Sequence, residues 1–304
     1  MPTEERIFHR RGVASAINPR DDQQVLPAGL GSEPMVIPAE EDPRQRLVDW
    51  MATPDNPFFA RTLANRYWKH FFSRGLVEPE DDMRETNPAT NPELLDALAE
   101  HFIDSGFDMK DLIRTICRSQ TYQLSSLPNK FNEDDRQNFS RYYPKRLPAE
   151  VLLDAVDAVA GSETRFQGMP AGTRAVQLPD SGFRSHFLNV FGRPEGNSAC
   201  ECERTSEANL AQGLHLLNSA DMVSKLSADG GRAAKLAADH EREMRDKIRE
   251  LYLAALTRLP TDDEAVTVAE FIEHESRENG SDEKKALEDL LWALINTKEF
   301  LFNH

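Results

Sequence analysis

The sequence predicts a mainly α, irregular multi-helical domain with long loops and at most a small β element. Three observations carry this reading. Apolar residues recur at helical spacing in most segments that lie between turn residues. Asp or Asn followed by Pro stands at 42–43, 56–57 and 91–92, which supplies a helix cap and a first-turn residue together. Strand-like alternation is confined to one fragment, TRAVQLP at 173–179, and one fragment does not make a sheet.

Residues 1–41 hold Pro2, Pro19, Pro27, Pro34 and Pro38 among scattered glycines, with no lasting periodicity. They read as an extended N-terminal arm or the remnant of an upstream domain. Asp42 and Pro43 start a helix in which Leu47, Trp50 and Met51 share a face, ending near Pro54. Asn56 and Pro57 start the next, with Phe59, Leu63, Tyr67 and Phe71 along one face, Phe58 and Trp68 beside it, and Gly75 as its stop. After an acidic, turn-like stretch over 77–89, Asn91 and Pro92 open a helix that directs Leu94, Leu95, Leu98, Phe102 and Ile103 inward. Gly106 ends it and Asp108 caps a fourth helix, whose apolar face is Leu112, Ile113, Ile116 and Cys117; Cys117 reads as core rather than ligand. The two form an αα-hairpin.

The stretch 125–146 is too long for an ordinary connector. It reads as a functional loop or as a surface loop pinned by Phe131, Phe139, Tyr142 and Tyr143. Pro148 opens a helix bearing Val151, Leu152, Ala155 and Val159, and 187–191 gives a helical turn. Beyond the flexible SADGG break, the chain resumes over 233–240, and a longer helix places Met244, Ile248, Leu251, Tyr252 and Ala255 on its buried side. Thr261 to Glu264 is a capping-box pattern for a helix with Val268, Phe271 and Ile272. Ser281 begins the last long helix, with Leu287, Leu290, Leu291, Leu294 and Ile295, and the tail EFLFNH is apolar enough to dock. No fixed-length repeat is present. The expected organisation is the arm, 1–41, and a helical domain, 42–304, with 42–160 and 161–304 as candidate subdomains.

The formal charge of −16 comes from 52 acidic against 36 basic residues. That balance argues against nucleic acid as a partner. No apolar run approaches the roughly 20 residues of a membrane span, and the first residues lack the apolar centre of a secretory signal. Three cysteines are too few for a disulfide scaffold. GxGxxG, P-loop, HExxH and GxSxG motifs are absent, which removes the cheapest support for nucleotide, zinc-protease and serine-esterase readings.

The most chemically distinctive stretch is 191–226. Gly192, Pro194 and Gly196 make an irregular approach to Cys200 and Cys202, and Thr205 then caps a helix carrying Leu210, Leu214 and Leu217. Its ligand-binding candidates are Arg193, Arg204, Asn209, Gln212 and His215, since arginine forks and amides present fixed donors at a helix start. Its metal candidates are Cys200 and Cys202 with His186 and His215, a soft-donor set suited to zinc or a similar metal. Against these stand a short-loop disulfide, simple reduced cysteines, and an ion-pair network of Glu201, Glu203 and Glu207 with the arginines. Glu78, Glu80, Asp81, Asp82 and Glu85 read as an exposed acidic loop in preference to a calcium or glycoside-hydrolysis site.

Several long, unusually composed motifs occur in order: DNPFFARTLANRYWKHFFSRGLVEP, TNPELLDALAEHFIDSGFDMKDLIRTICRSQTYQLSS, YYPKRLPAEVLLDAVD, CECER with LAQGLHLLNS, and DLLWALINTKEFLFNH. Over residues 42–304 the chain resembles the planctomycete-type Domain of Unknown Function 1553 family, found near the C-terminus of large cytochrome-associated or surface proteins. The resemblance implies a bacterial cell-envelope or extracytoplasmic setting, with companion, cytochrome-like or immunoglobulin-like modules upstream, and no established cofactor or catalytic residue. This chain starts almost at the domain and contains no haem motif CxxCH. It is expected to be a fragment, a split product, or one chain among protein partners that carry the missing modules. The expected function is a noncatalytic association or ligand-binding module, for a protein, small-molecule or glycan partner. The alternative is a metal-dependent or redox accessory protein or enzyme with its site near CECER.

Overall fold

The computed structural model describes residues 8, 11–194, 219–278 and 282–303. Among them twelve α-helices and two sheets of two short strands carry the regular structure, so the chain is mainly α with a minor β element. It divides into two compact units, Met1–Tyr143 and Pro144–His304, each with its own hydrophobic core.

The first unit begins with a hairpin of β1 (Ala16–Ile17) and β2 (Gln24–Val25). Helix α1 (Pro43–Met51) is capped by the Asp42 side chain, as expected, but it buries no residue and leaves Leu47 52% exposed. Its aromatic side is met by the arm: a Cβ at Gly29 would lie 2.4 Å from the Trp50 indole nitrogen, and Ile37 is 2% exposed. Asn56 starts α2 (Phe59–Phe72) by accepting from the Phe58 and Phe59 N–H groups at 2.8 and 3.0 Å.

Helix α2 buries Ala60, Ala64, Trp68 and Phe72, one residue round from the stripe expected from the sequence; Phe59, Leu63, Tyr67 and Phe71 are only partly buried around it. Small alanines on the inner face allow a neighbouring backbone to approach, whereas an all-aromatic inner face would hold it off. The large rings fill the flanks. Helices α3 (Pro92–Asp104) and α4 (Met109–Arg118) complete the core with Leu95, Leu98, Phe102, Leu112 and Ile116, and Asn91 and Asp108 cap them through their side chains.

The loop that follows is pinned by Phe139 and Tyr142, both buried, while Phe131 is exposed. Asp135 gathers the N–H groups of Gln137, Asn138 and Ser140 and the Ser140 hydroxyl, which holds its carboxyl well below the usual carboxylate range.

In the second unit, β3 (Lys145–Arg146) pairs antiparallel with β4 (Phe302–Asn303), which ties the start of the unit to its end. Helix α5 (Ala149–Ala160) buries Leu152, Leu153, Val156 and Val159 in the second core, so the division between units falls before this helix. The fragment 173–179, expected as a short strand, instead contains a 3₁₀ turn, Ala175–Gln177. Asp154 of α5 accepts from the Ala175 and Val176 N–H groups at 2.6 and 3.3 Å, so a side chain from an earlier helix, and not a strand partner, takes these donors. Around this centre run α6 (His186–Val190), α7 (Ala220–Leu226), α8 (Arg232–Ala238), α9 (Met244–Leu256), α10 (Asp262–Glu278), α11 (Glu283–Ile295) and α12 (Lys298–Leu301). No helix among the described residues is long and apolar enough to cross a membrane.

Candidate functional site

A groove of about 670 Å³ lies in the second unit between α10 and α11, with Val223 and Leu226 of α7 along its side. The sequence builds each bank for local reasons. Thr261 and Glu264 form the predicted capping box at the start of α10: the Thr261 N–H donates to the Glu264 carboxylate at 2.8 Å, and the Glu264 N–H donates to the Thr261 hydroxyl at 3.2 Å. Arg258 fixes the same carboxylate with two N–H bonds and takes Glu299 with two more, between 2.6 and 2.8 Å. Its guanidinium draws the Glu264 carboxyl down to about 2. With that end held, Val268 and Ile272 face the core and Phe271, 39% exposed, is left toward solvent.

The other bank is α11, capped by Asp282 on the Lys285 N–H. Its face of Leu287, Leu290, Leu291, Leu294 and Ile295 is buried, as the leucine spacing predicted. Next to that face lies Glu288, which also lines the groove and is 9% exposed. Burial pushes its carboxyl up from the ordinary value, opposed by Lys284 and Lys285. Apolar residues dominate the rest: Val223, Val268, Phe271, Leu290 and Trp292. An apolar cleft with carboxylates along it, Glu288 the most buried of them, can hold a hydrophobic group and orient it by a polar contact.

Two smaller cavities differ in character. One of about 480 Å³ runs along α5 past Asp154, Asp157, Ser162 and Thr164. Its polar groups are largely committed to the fold: Lys225, 7% exposed, donates to both Asp157 and Thr164 at 2.5 Å, and Asp154 holds the 3₁₀ turn. The other, about 250 Å³, lies in the first unit at the start of α3, between Trp68, Asn91, Thr121 and Gln137.

Two of the eight ligand-binding and metal candidates are among the described residues. Arg193, just beyond α6, donates from Nη2 to Asn189 Oδ1 at 2.9 Å, while its Nη1 is buried without a hydrogen-bond partner; it lines none of the three cavities. His186 is the first residue of α6 and is exposed. Arg204, Asn209, Gln212, His215, Cys200 and Cys202 lie outside the described residues, as does the helix expected after Thr205. Among the described residues no group of three His, Cys, Asp or Glu is placed to hold a metal ion. Cys117 is half-buried on α4, and burial raises its thiol.

The acidic stretch is stitched rather than loose. Lys69 bonds Glu78 and Glu80 at 3.1 and 2.6 Å, Arg66 takes Asp81 with two N–H bonds, and Arg84 does the same with Asp82. The groove went unseen in the sequence, because Val223, Phe271 and Glu288 come from three separate helices and nothing local joins them. A family model described as PSD1, protein of unknown function (DUF1553), matches residues 43–272. No curated protein and no solved structure matches the chain significantly.

Proposed function

The chain belongs to the PSD1 family, protein of unknown function (DUF1553), and from that premise we propose that it is a noncatalytic association module of a bacterial cell-envelope system. Its working surface is the groove between α10 and α11, which seats an apolar face of a partner protein. The observation that carries this reading is the apolar opening itself: a cavity of about 670 Å³ whose banks expose Phe271 and leave Val223 53% exposed. Val223, Phe271 and Trp292 gather at one opening rimmed by charged residues, which is the form of surface a partner protein covers. Two roughly adjacent helices with apolar banks also form the receiving half of a helix-in-groove contact. The envelope setting follows from the family resemblance.

Photo-cross-linking in the native cells tests the reading. With p-benzoyl-phenylalanine in place of Val223, a discrete protein adduct is expected, identified by the sequence of the attached peptide. The same group in place of Val266, 58% exposed on α10 but outside the groove, provides the comparison. Equal or no adduct at the two positions would remove the groove as an association surface.

A further inference from the structure

We infer that the partner face seated in this groove carries one basic side chain, a lysine or arginine set among apolar anchors, and that Glu288 receives it. The inference rests on the association reading and adds to it the chemistry of the partner.

Glu288 supplies the first reason. Only 9% exposed, it accepts no hydrogen bond among the described residues, where its nearest cations are Lys284 Nζ at 3.8 Å and Lys285 Nζ at 4.0 Å. Both lysines make their short bonds elsewhere. Lys284 Nζ donates to the Ser227 carbonyl and to Asp229, each at 3.1 Å, and Lys285 Nζ donates to Asp289 at 2.6 Å. Its carboxylate oxygens still reach water in the groove, and a guest that displaces this water must supply a donor in its place, since a carboxylate shut off without one is costly. Here the vacant acceptor positions belong to a residue that lines an apolar groove.

Charge supplies the second reason. Among the described residues, Glu275 and Asp289 line the same groove, against Lys285 alone of the basic ones. The negative balance at the cleft matches a cationic guest, and it repeats the net charge of −16 on the whole chain. An ionised carboxylate is an acceptor only, so it selects donors, and a charged donor forms the stronger bond.

The shape points to a protein segment rather than a free amine. Residues 267–275 of α10 and 285–293 of α11, more than two turns of each helix, form the two banks, and the groove opens between them. An amphipathic helix laid along such a cleft places apolar side chains against Val223, Phe271 and Trp292 and brings one basic residue over Glu288. Residues three and four apart on the guest supply both contacts at once.

The cross-link at position 223 also tests this step. In the full chain carrying the photo-reactive group there, Glu288→Gln is expected to lower the adduct yield at least fivefold, because the amide keeps the shape and loses the charge. The peptide attached in the wild-type background is expected to contain Lys or Arg within four residues of the attachment point, a readout that does not depend on the variant folding. An unchanged yield in Glu288→Gln, or an attached peptide with no basic residue in that window, overturns the inference and leaves the association reading standing. A small amine recovered on the protein by native mass spectrometry, in place of a peptide, also overturns it. Absence of any adduct at position 223 in the wild-type background removes the association reading itself.

Discussion

Asn65 has no exposed surface, and its amide is satisfied at both ends: Nδ2 donates to the carbonyls of Val77 and Glu80 at 3.0 and 2.9 Å, and Oδ1 accepts from the Val77 N–H at 3.0 Å. One side chain on α2 thus replaces a strand partner for the turn that follows. Gly75 is part of the arrangement, since a Cβ there would stand 2.4 Å from the Val77 carbonyl oxygen. Asn65→Ala is expected to destabilise the first unit by about 2–4 kcal/mol, the cost of leaving a buried N–H and two carbonyls without partners. Urea unfolding followed by tryptophan fluorescence measures it, and a loss within about 0.5 kcal/mol would mean that water fills the gap. Neither Asn65 nor Glu288 was legible as special in the sequence. Both occupy ordinary polar positions in amphipathic helices, and burial came from neighbours far along the chain. Lys225 and Lys247 are similar: both are buried, and their carboxylate partners, Asp157 and Glu283, come from distant turns of sequence.

At the scale of the element, helix starts were the most legible feature. Asp42, Asn91, Asp108 and the Thr261–Glu264 box cap as their spacing predicted, because a cap depends on three or four consecutive residues. The partner that reinforces the box, Arg258, lies beyond that window. Glu264 titrates at about 2, below its ordinary value, so its stabilisation is fully present above about pH 4.5 and is lost as pH falls toward 2. Arg258→Gln is therefore expected to lower the thermal midpoint at pH 7, and the gap to wild type should close between about pH 4.5 and 2. The ion pairs are partly solvated, which limits the effect to about 1 kcal/mol. A gap of the same size at pH 7 and at pH 2 would show that Arg258 acts by packing on Tyr252, whose ring centre lies 5.7 Å away, rather than by charge. Which face of a helix is buried was less legible. On α2 the expected stripe of rings gave way to the alanine stripe one position round, because periodicity reports that a helix has sides without reporting which neighbour each side meets.

At the scale of the whole molecule, the arm shows the same limit. Its prolines and weak periodicity predicted a segment marginal to the fold, yet Gly29 packs on Trp50 and Ile37 is buried. Removal of residues 1–41 is expected to leave a product that still unfolds cooperatively, with a lower midpoint, since burial of one isoleucine is worth about 1.5–3 kcal/mol. Differential scanning calorimetry reads both properties, and loss of any cooperative transition would make the arm part of the core. The sequence by itself determined that the chain is mainly α, where most helices start, and which leucines of the last long helix face inward. Those outcomes depend on caps and spacing within a few residues. Only the tertiary structure decided that α5 belongs to the second core, that the stretch 173–179 turns instead of extending, and that Val223, Phe271 and Glu288 border one groove. Those outcomes depend on which distant surfaces exclude water from each other, and a local pattern records the apolar side of an element but not the surface that will cover it.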